Sequence, residues 1–281
     1  MAESLKTVVV IPIYKNVPDN IEYISFSRCL DVFRDNDIVI ACPDKLELER
    51  YSKIAGDKKI ELKIERFEPG FFSSIESYNR LMMDLDFYDR FKLWDYMLIY
   101  QLDAYVFEDM LEYWCSKGYD YIGAPWFDDY KSKELGSGLW AVGNGGFSLR
   151  KVQSFVDILK LKKPIKGYKQ LREDYKRVQS GFIKKIISPF IILFRLSGYK
   201  NTIEYWKTQC GANEDFFWTM YLDKLGIGLK RPTPEEAVDF AFEQSPSFLY
   251  EINGSRLPFG CHAWQKYEYE VFWKKYIDSD E

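Results

Sequence analysis

The chain contains one histidine, His262, in 281 residues, and its five cysteines, Cys29, Cys42, Cys115, Cys210 and Cys261, are scattered, odd in number and without a Cys-x-x-Cys pair. That scarcity speaks against a cysteine–histidine zinc cluster and a disulfide framework, and it fits a reducing cytoplasm. Positive charge is not in excess. With 39 basic and 43 acidic side chains the net charge is −4 and the isoelectric point near 5.4, so nucleic acid is not an expected partner. The first residues, Met-Ala-Glu-Ser-Leu-Lys-Thr, show no basic leader, long apolar region or small-residue cleavage site, and no signal peptide is expected. No internal repeat and no linker interrupts the chain, which predicts one domain over 1–281.

What the chain has is aromatic residues, 18% of the total, and short β-branched runs. Thr7-Val-Val-Val-Ile-Pro-Ile13 and Asp37-Ile-Val-Ile-Ala41 read as buried parallel strands, and Asn20 to Arg34 between them has helical apolar spacing, which makes a βαβ unit. Leu62 to Phe67 predicts a third strand, Ile75 to Leu85 a helix, and Tyr96 to Leu102 a fourth strand with Asp103 at its C-terminal end. Open α/β sheets place their ligands there. From Tyr119 the pattern loosens, with a glycine-rich stretch from Gly136 to Gly146 and helices expected around Arg150 to Leu161 and Glu214 to Leu225. Gly181 to Arg195 is strongly apolar, flanked by Lys and Arg, broken by Pro189 and too short to span a bilayer. It reads either as an element lying in a membrane interface or as a buried helix pair.

Four groups of residues could carry chemistry. Asp103 follows the apolar run containing Gln101 and Leu102, and an unpaired charge there is costly unless something binds it; a turn or cap role is the alternative. His262, in Leu257-Pro-Phe-Gly-Cys-His-Ala-Trp264, could be structural or a nitrogen ligand, and a shared Asp103–His262 site with phosphate oxygens suits Mn²⁺ better than Mg²⁺. Gly143-Asn-Gly-Gly-Phe-Ser-Leu-Arg150 fails the dinucleotide fingerprint, since Ser148 stands where its last glycine belongs. It reads as a tight turn before a helix, or as backbone approaching a ligand. Glu214 and Asp215 open a helix, where acids favour the dipole or where one could take a proton from an attacking hydroxyl.

Together these landmarks, with Tyr121-Ile-Gly-Ala-Pro-Trp126, resemble GT-A fold glycosyltransferases, and more closely the bacterial DUF5672 family of glycosyltransferase-like proteins. The resemblance implies an α/β fold of Rossmann-like type, with a mixed, mostly parallel sheet flanked by helices. A nucleotide half would span about 1–125 and an acceptor half about 126–281, with a membrane- or lipid-facing insert near 165–208. Pro12, Ile13, Tyr14 and Asn79 would face the nucleotide, Asp103 and His262 the metal, and Asn144, Gly145 and Gly146 the donor sugar. Trp126 would stack near donor or acceptor, and Trp264 would sit on the acceptor side. Asp215 would be the general base of an inverting transfer and Glu214 would bind acceptor hydroxyls, with the two roles exchangeable. The donor would be a UDP-sugar, the metal Mn²⁺ or Mg²⁺, and the acceptor a glycan or lipid-linked saccharide of a bacterial surface polysaccharide.

One departure weakens this expectation. Many GT-A enzymes carry Asp-x-Asp where this chain has Gln101-Leu-Asp103, so metal could bind less tightly, with Lys15 or Arg66 neutralising phosphate instead. A catalytically inactive module that binds glycan or a partner is therefore the alternative. A nucleotidyltransferase is disfavoured because no glycine-rich phosphate loop follows the first strand.

Overall fold

A computed structural model describes residues 5–127, 138–178 and 182–277, without the side chains of 178 and 182–187. The glycine-rich stretch around Gly136 and the start of the apolar segment at Gly181 lie outside them.

The core is a six-stranded sheet whose strands lie in the order Lys63–Phe67, Asp37–Pro43, Thr7–Pro12, Tyr96–Tyr100, Phe147–Lys151 and Tyr121–Ile122, here β3, β2, β1, β4, β9 and β6. Its parallel part comprises β1 (Thr7–Pro12), β2 (Asp37–Pro43), β3 (Lys63–Phe67) and β4 (Tyr96–Tyr100). β1, β2 and β4 are buried on both faces, as their apolar runs require. Residues alternate between two packing layers: Val9 and Ile11 meet Phe26, Cys29 and Leu30 of helix α1 (Asn20–Val32) on one side. Val8 and Val10 belong to the layer containing Leu81, Phe87 and Phe155 on the other. Helices thus cover both faces, giving the mixed, mostly parallel α/β sheet that the resemblance implies. α1 starts at a capping box in which the Asp19 carboxylate accepts from Glu22 N and the Glu22 carboxylate from Asp19 N.

The later half departs from the expected pattern in one important place. Gly143 to Arg150 is not simply a turn before a helix. After the turn, β9 (Phe147–Lys151) runs antiparallel between β4 and the edge strand β6 (Tyr121–Ile122), and the helix Val152–Leu159 follows it. The expected helix from Ile75 to Leu85 is two: Ile75–Leu81, and Leu85–Arg90, which Asp84 opens by accepting from Asp86 N at 2.8 Å.

Two smaller sheets flank the C-terminal ends of the strands. β7 (Pro125–Phe127) pairs with β8 (Leu139–Val142). β5 (Ala104–Val106), β10 (Ala241–Phe242) and β11 (Gly260–His262) form the other, with β11 in its centre. The apolar segment forms a helix, Phe182–Leu196, that contains Pro189. It is not fully buried: Ile192 is covered, while Phe190, Leu193 and Phe194 face solvent. Among the described residues no helix is long and apolar enough to cross a membrane.

Candidate active site

A cleft of about 1140 Å³ opens where β1 and β4 end. Pro12, Ile13, Tyr14, Lys15, Asn79, Gln101, Leu102, Asp103, Trp126, Asn144, Gly145, Gly146, Glu214, Asp215 and His262 all line it. Two expected residues do not. Arg66, on β3, spends its guanidinium on the carbonyls of Pro43, Asp44 and Leu46 and stabilises the turn after β2. Trp264 is buried in the cluster with Phe272 and Trp273 rather than open to the cleft.

Strand register brings together residues that are remote in sequence. In the antiparallel pairing of β11 with β5, His262 stands opposite Ala104, and Ala263 N donates to the Asp103 carbonyl at 2.8 Å. His262 Nε2 is consequently 3.1 Å from Asp103 Oδ1 and 3.3 Å from Gln101 Oε1. β10 runs parallel on the other side of β11 and delivers Glu243, whose Oε1 lies 3.1 Å from His262 Nδ1. Burial alone would raise the Asp103 carboxyl, but the charge and hydrogen bond of His262 outweigh it and hold it at about 2. Burial likewise lowers His262, yet Asp103 and then Glu243 overcome this and lift the imidazole to about 10. Lys266 Nζ stands 3.6 Å from Asp103 Oδ2.

This donor set fits a divalent cation shared with a ligand. With its Nε2 proton displaced, as metal binding requires, His262 would offer a nitrogen beside the Asp103 oxygen, and Glu243 would fix the far side of the ring as outer carboxylates do in metal sites. Among the described residues no group of three or more His, Cys, Asp or Glu side chains forms a ready cage, so the remaining positions would fall to phosphate oxygens, the Gln101 amide or water.

Directly against His262 and Gln101 lies the turn between β8 and β9, whose Gly146 O accepts from Gln101 N at 2.8 Å. Asn144 adopts a positive φ of 73°, which asparagine tolerates, and its Oδ1 accepts from Gly146 N at 2.9 Å and Phe147 N at 3.3 Å. Those bonds fix the amide, so Nδ2 points the other way, buried and without a partner. The two glycines are needed for contact with neighbours. A Cβ on Gly145 would overlap Glu214 Oε1, and one on Gly146 would overlap His262 Nε2 and reach 2.7 Å from Gln101 Oε1.

The helix Glu214–Phe216 supplies the acids, and Asn79 holds its start: Asn79 Oδ1 accepts from Glu214 N at 3.3 Å and Nδ2 donates to Asn213 Oδ1 at 3.1 Å. Glu214 is buried, with Oε1 2.9 Å from the fully buried Arg150 and Oε2 unpartnered. Desolvation dominates there and pushes its carboxyl up to about 7 in spite of Arg150. Asp215 is more open. Its Oδ2 accepts from Asn144 N at 3.2 Å and Oδ1 from Phe216 N at 2.7 Å, and burial raises its carboxyl from the ordinary aspartate value. Lys15 lines the cleft already paired to Glu22 at 2.9 Å and Asp19 at 3.1 Å. At the rim Trp126 stacks on Trp140, with ring centroids 6.4 Å apart, and Trp140 is 47% exposed.

Sequence reasoning missed Glu243, Lys266, Arg150 and Trp140. Glu243 repeats the signal that singled out Asp103, a carboxylate directly after a short apolar run, here Phe240-Ala-Phe242.

Residues 61–262 match the family described as protein of unknown function (DUF5672). No curated protein matches the sequence. Among solved structures, a glycosyltransferase involved in glycosylation of the major capsid of PBCV-1 is similar at 10% identity and a TM-score of 0.40, over 98% of this chain and 99% of that one. Core-mannan synthase A from Aspergillus fumigatus, in a Mn/GDP form, is similar at 10% identity and 0.38, over 53% of this chain and 60% of that one. A cytidylyltransferase from Leptospira borgpetersenii is similar at 11% identity and 0.34, over 55% and 63%. The chain thus spans less than two thirds of the last two, and likenesses this distant assign it no activity.

Proposed function

The chain belongs to the DUF5672 family, and we propose that it transfers a hexose from a nucleoside-diphosphate sugar, UDP-linked, to a glycan or lipid-linked saccharide of a bacterial surface polysaccharide, with inversion. The observation that carries this reading is the pairing, across one cleft at the ends of β1 and β4, of the Asp103–His262–Glu243 array with the two raised carboxylates Glu214 and Asp215.

Each side has a distinct task. Pro12, Ile13 and Tyr14 line the nucleotide end, and Lys266 is the cation beside Asp103 that can meet phosphate, with Lys15 held back by its two acids. Asp103 and His262 would hold Mn²⁺ or Mg²⁺, with Glu243 keeping the imidazole oriented. When bound, the cation would neutralise charge on the departing diphosphate. Asn144 Nδ2 and Glu214 Oε2, a free donor and a free acceptor, suit sugar hydroxyls, which can serve both. Asp215, the more open acid, takes the proton from the acceptor hydroxyl; a carboxylate raised toward neutrality suits that task. Trp126 and Trp140 offer aromatic faces for a saccharide at the rim.

Calorimetry with UDP and manganese, followed by UDP release with and without acceptor, tests this. Asp103→Ala should weaken nucleotide binding, and Asp215→Asn should bind UDP normally yet lose about 10²–10⁴-fold in transfer. Full activity in Asp215→Asn would remove Asp215 as the base, and Glu214→Gln would then test the exchanged assignment. Gln101 in place of a carboxylate favours the second reading, an inactive module that binds glycan or a partner. Absence of any UDP binding would select it.

A further inference from the structure

Residues 160–200 carry twelve Lys or Arg and only two acids, Glu173 and Asp174, in a chain whose net charge is −4. Both acids are taken within the segment, Asp174 by Lys166 at 2.8 Å and Glu173 by Lys176 at 2.7 Å. Most of the positive charge therefore has no acidic partner in its own segment, while the remainder of the chain is strongly acidic. In the middle of this charge, the helix Phe182–Leu196 displays Phe190, Leu193 and Phe194 at 64%, 66% and 65% exposure. Their i, i+3, i+4 spacing places them on one face, with Ile192 turned inward. Tyr199 just beyond the helix and Tyr168 at the start of the preceding one are exposed as well.

We propose that this face docks on an anionic lipid surface, with Phe190, Leu193 and Phe194 entering the headgroup boundary and the basic residues of 160–200 held by the negative charge. Water gives no reason to expose three large apolar side chains together. A stable protein interface engages roughly 20–30 residues a side, whereas shallow insertion needs only a narrow apolar face framed by Lys and Arg. Charge selects among membranes: each basic residue near an anionic leaflet adds attraction that salt screens. The helix lies on the bilayer and does not cross it, consistent with its length. None of its described residues lines the cleft, so docking is separable from the glycosyl-transfer reading.

Co-sedimentation of the full chain with vesicles tests this, using phosphatidylcholine alone and phosphatidylcholine with phosphatidylglycerol in equal parts. The chain should pellet only with the mixed vesicles and be released by high salt. Phe190→Glu/Phe194→Glu should lower partitioning roughly tenfold or more, with thermal midpoint and UDP affinity unchanged. Lys162→Glu/Lys163→Glu, which leaves the apolar face intact, should weaken binding to the mixed vesicles too. No pelleting, or equal pelleting of wild type and the double-Glu variant, overturns the proposal. So does a concentration-dependent dimer, abolished by the same variant, in a chain that ignores vesicles: the face would then be a self-interface.

Discussion

Gly146→Ala is the most discriminating small change available in the cleft. Gly146 does not have a positive φ, so alanine adds no backbone strain; its effect comes from one methyl group. That group would overlap His262 Nε2 and stand 2.7 Å from Gln101 Oε1. Ordinary contact between carbon and a heavy atom begins near ~3.5 Å, so the imidazole has to withdraw by more than about 1 Å. The turn cannot yield instead without breaking bonds, because Gly146 N donates to Asn144 Oδ1 at 2.9 Å and Gly146 O accepts from Gln101 N at 2.8 Å. A withdrawal of that size separates His262 from Asp103, now 3.1 Å apart. A misplacement of about 1 Å can cost on the order of 10²-fold in rate, about 2.7 kcal/mol in the barrier.

The expected outcome is manganese-dependent UDP affinity lower by about tenfold and transfer lower by about 10²-fold, read by calorimetry and UDP release. Gly145→Ala is the matched control. Its methyl group meets Glu214 Oε1 and leaves His262 alone, so UDP affinity should persist while transfer falls. A Gly146→Ala variant within about threefold of wild type in both assays would refute the reasoning, since His262 would not be needed where it stands.

Two further predictions concern the buried pair under the turn. Arg150→Met removes the partner of Glu214 and should cost about 3–5 kcal/mol in denaturant unfolding, the usual penalty for leaving a buried charge uncompensated. Glu214 also predicts a pH dependence. Its carboxyl rises from 4.5 to about 7 on folding, so the folded state holds the proton more tightly, and its contribution is present below pH 4.5 and lost as pH climbs through about 7. Over that window wild-type stability should fall with pH more steeply than that of Glu214→Gln, by up to about one proton's worth of slope. Parallel curves would mean that Glu214 does not titrate there.

The parts of the fold that sequence reveals are those whose residues answer to local physics. β1, β2 and β4 are apolar runs buried on both faces, and α1 has helical spacing behind a capping box. β9 is the instructive failure. Phe147-Ser-Leu-Arg-Lys151 is a buried strand paired on both sides, yet it contains Arg150, a side chain that pattern assigns to the surface. Arg150 is tolerated because Glu214 at 2.9 Å, the Tyr88 hydroxyl at 2.8 Å and the Ser148 hydroxyl at 3.1 Å receive its charge and donors. None of those partners except Ser148 is near it in sequence, so the strand could not be recognised before its neighbours were known. Arg66 failed in the opposite sense. An arginine near a strand end looks available to phosphate until three carbonyls are found to hold it.

The site shows the same division, and it changes what Gln101 means. Asp103 and His262 were expected to share a site, but the geometry of their contact depends on the register of two three-residue strands, and Glu243 depends on a strand of two. Once these are assembled, the imidazole has Asp103 on one nitrogen and Glu243 on the other, and the Gln101 amide oxygen shares the Asp103 side. A carboxylate at 101 would put a third negative charge around one ring in a buried place, where like charges oppose each other strongly. With the amide, two carboxylates face His262 and Lys266, and the charges balance without any bound ion. On this reading Gln101 does not mark an aspartate pair left incomplete. Its neutral amide leaves room for Glu243, and the carboxylate missing from the sequence motif is supplied from another strand, behind the histidine.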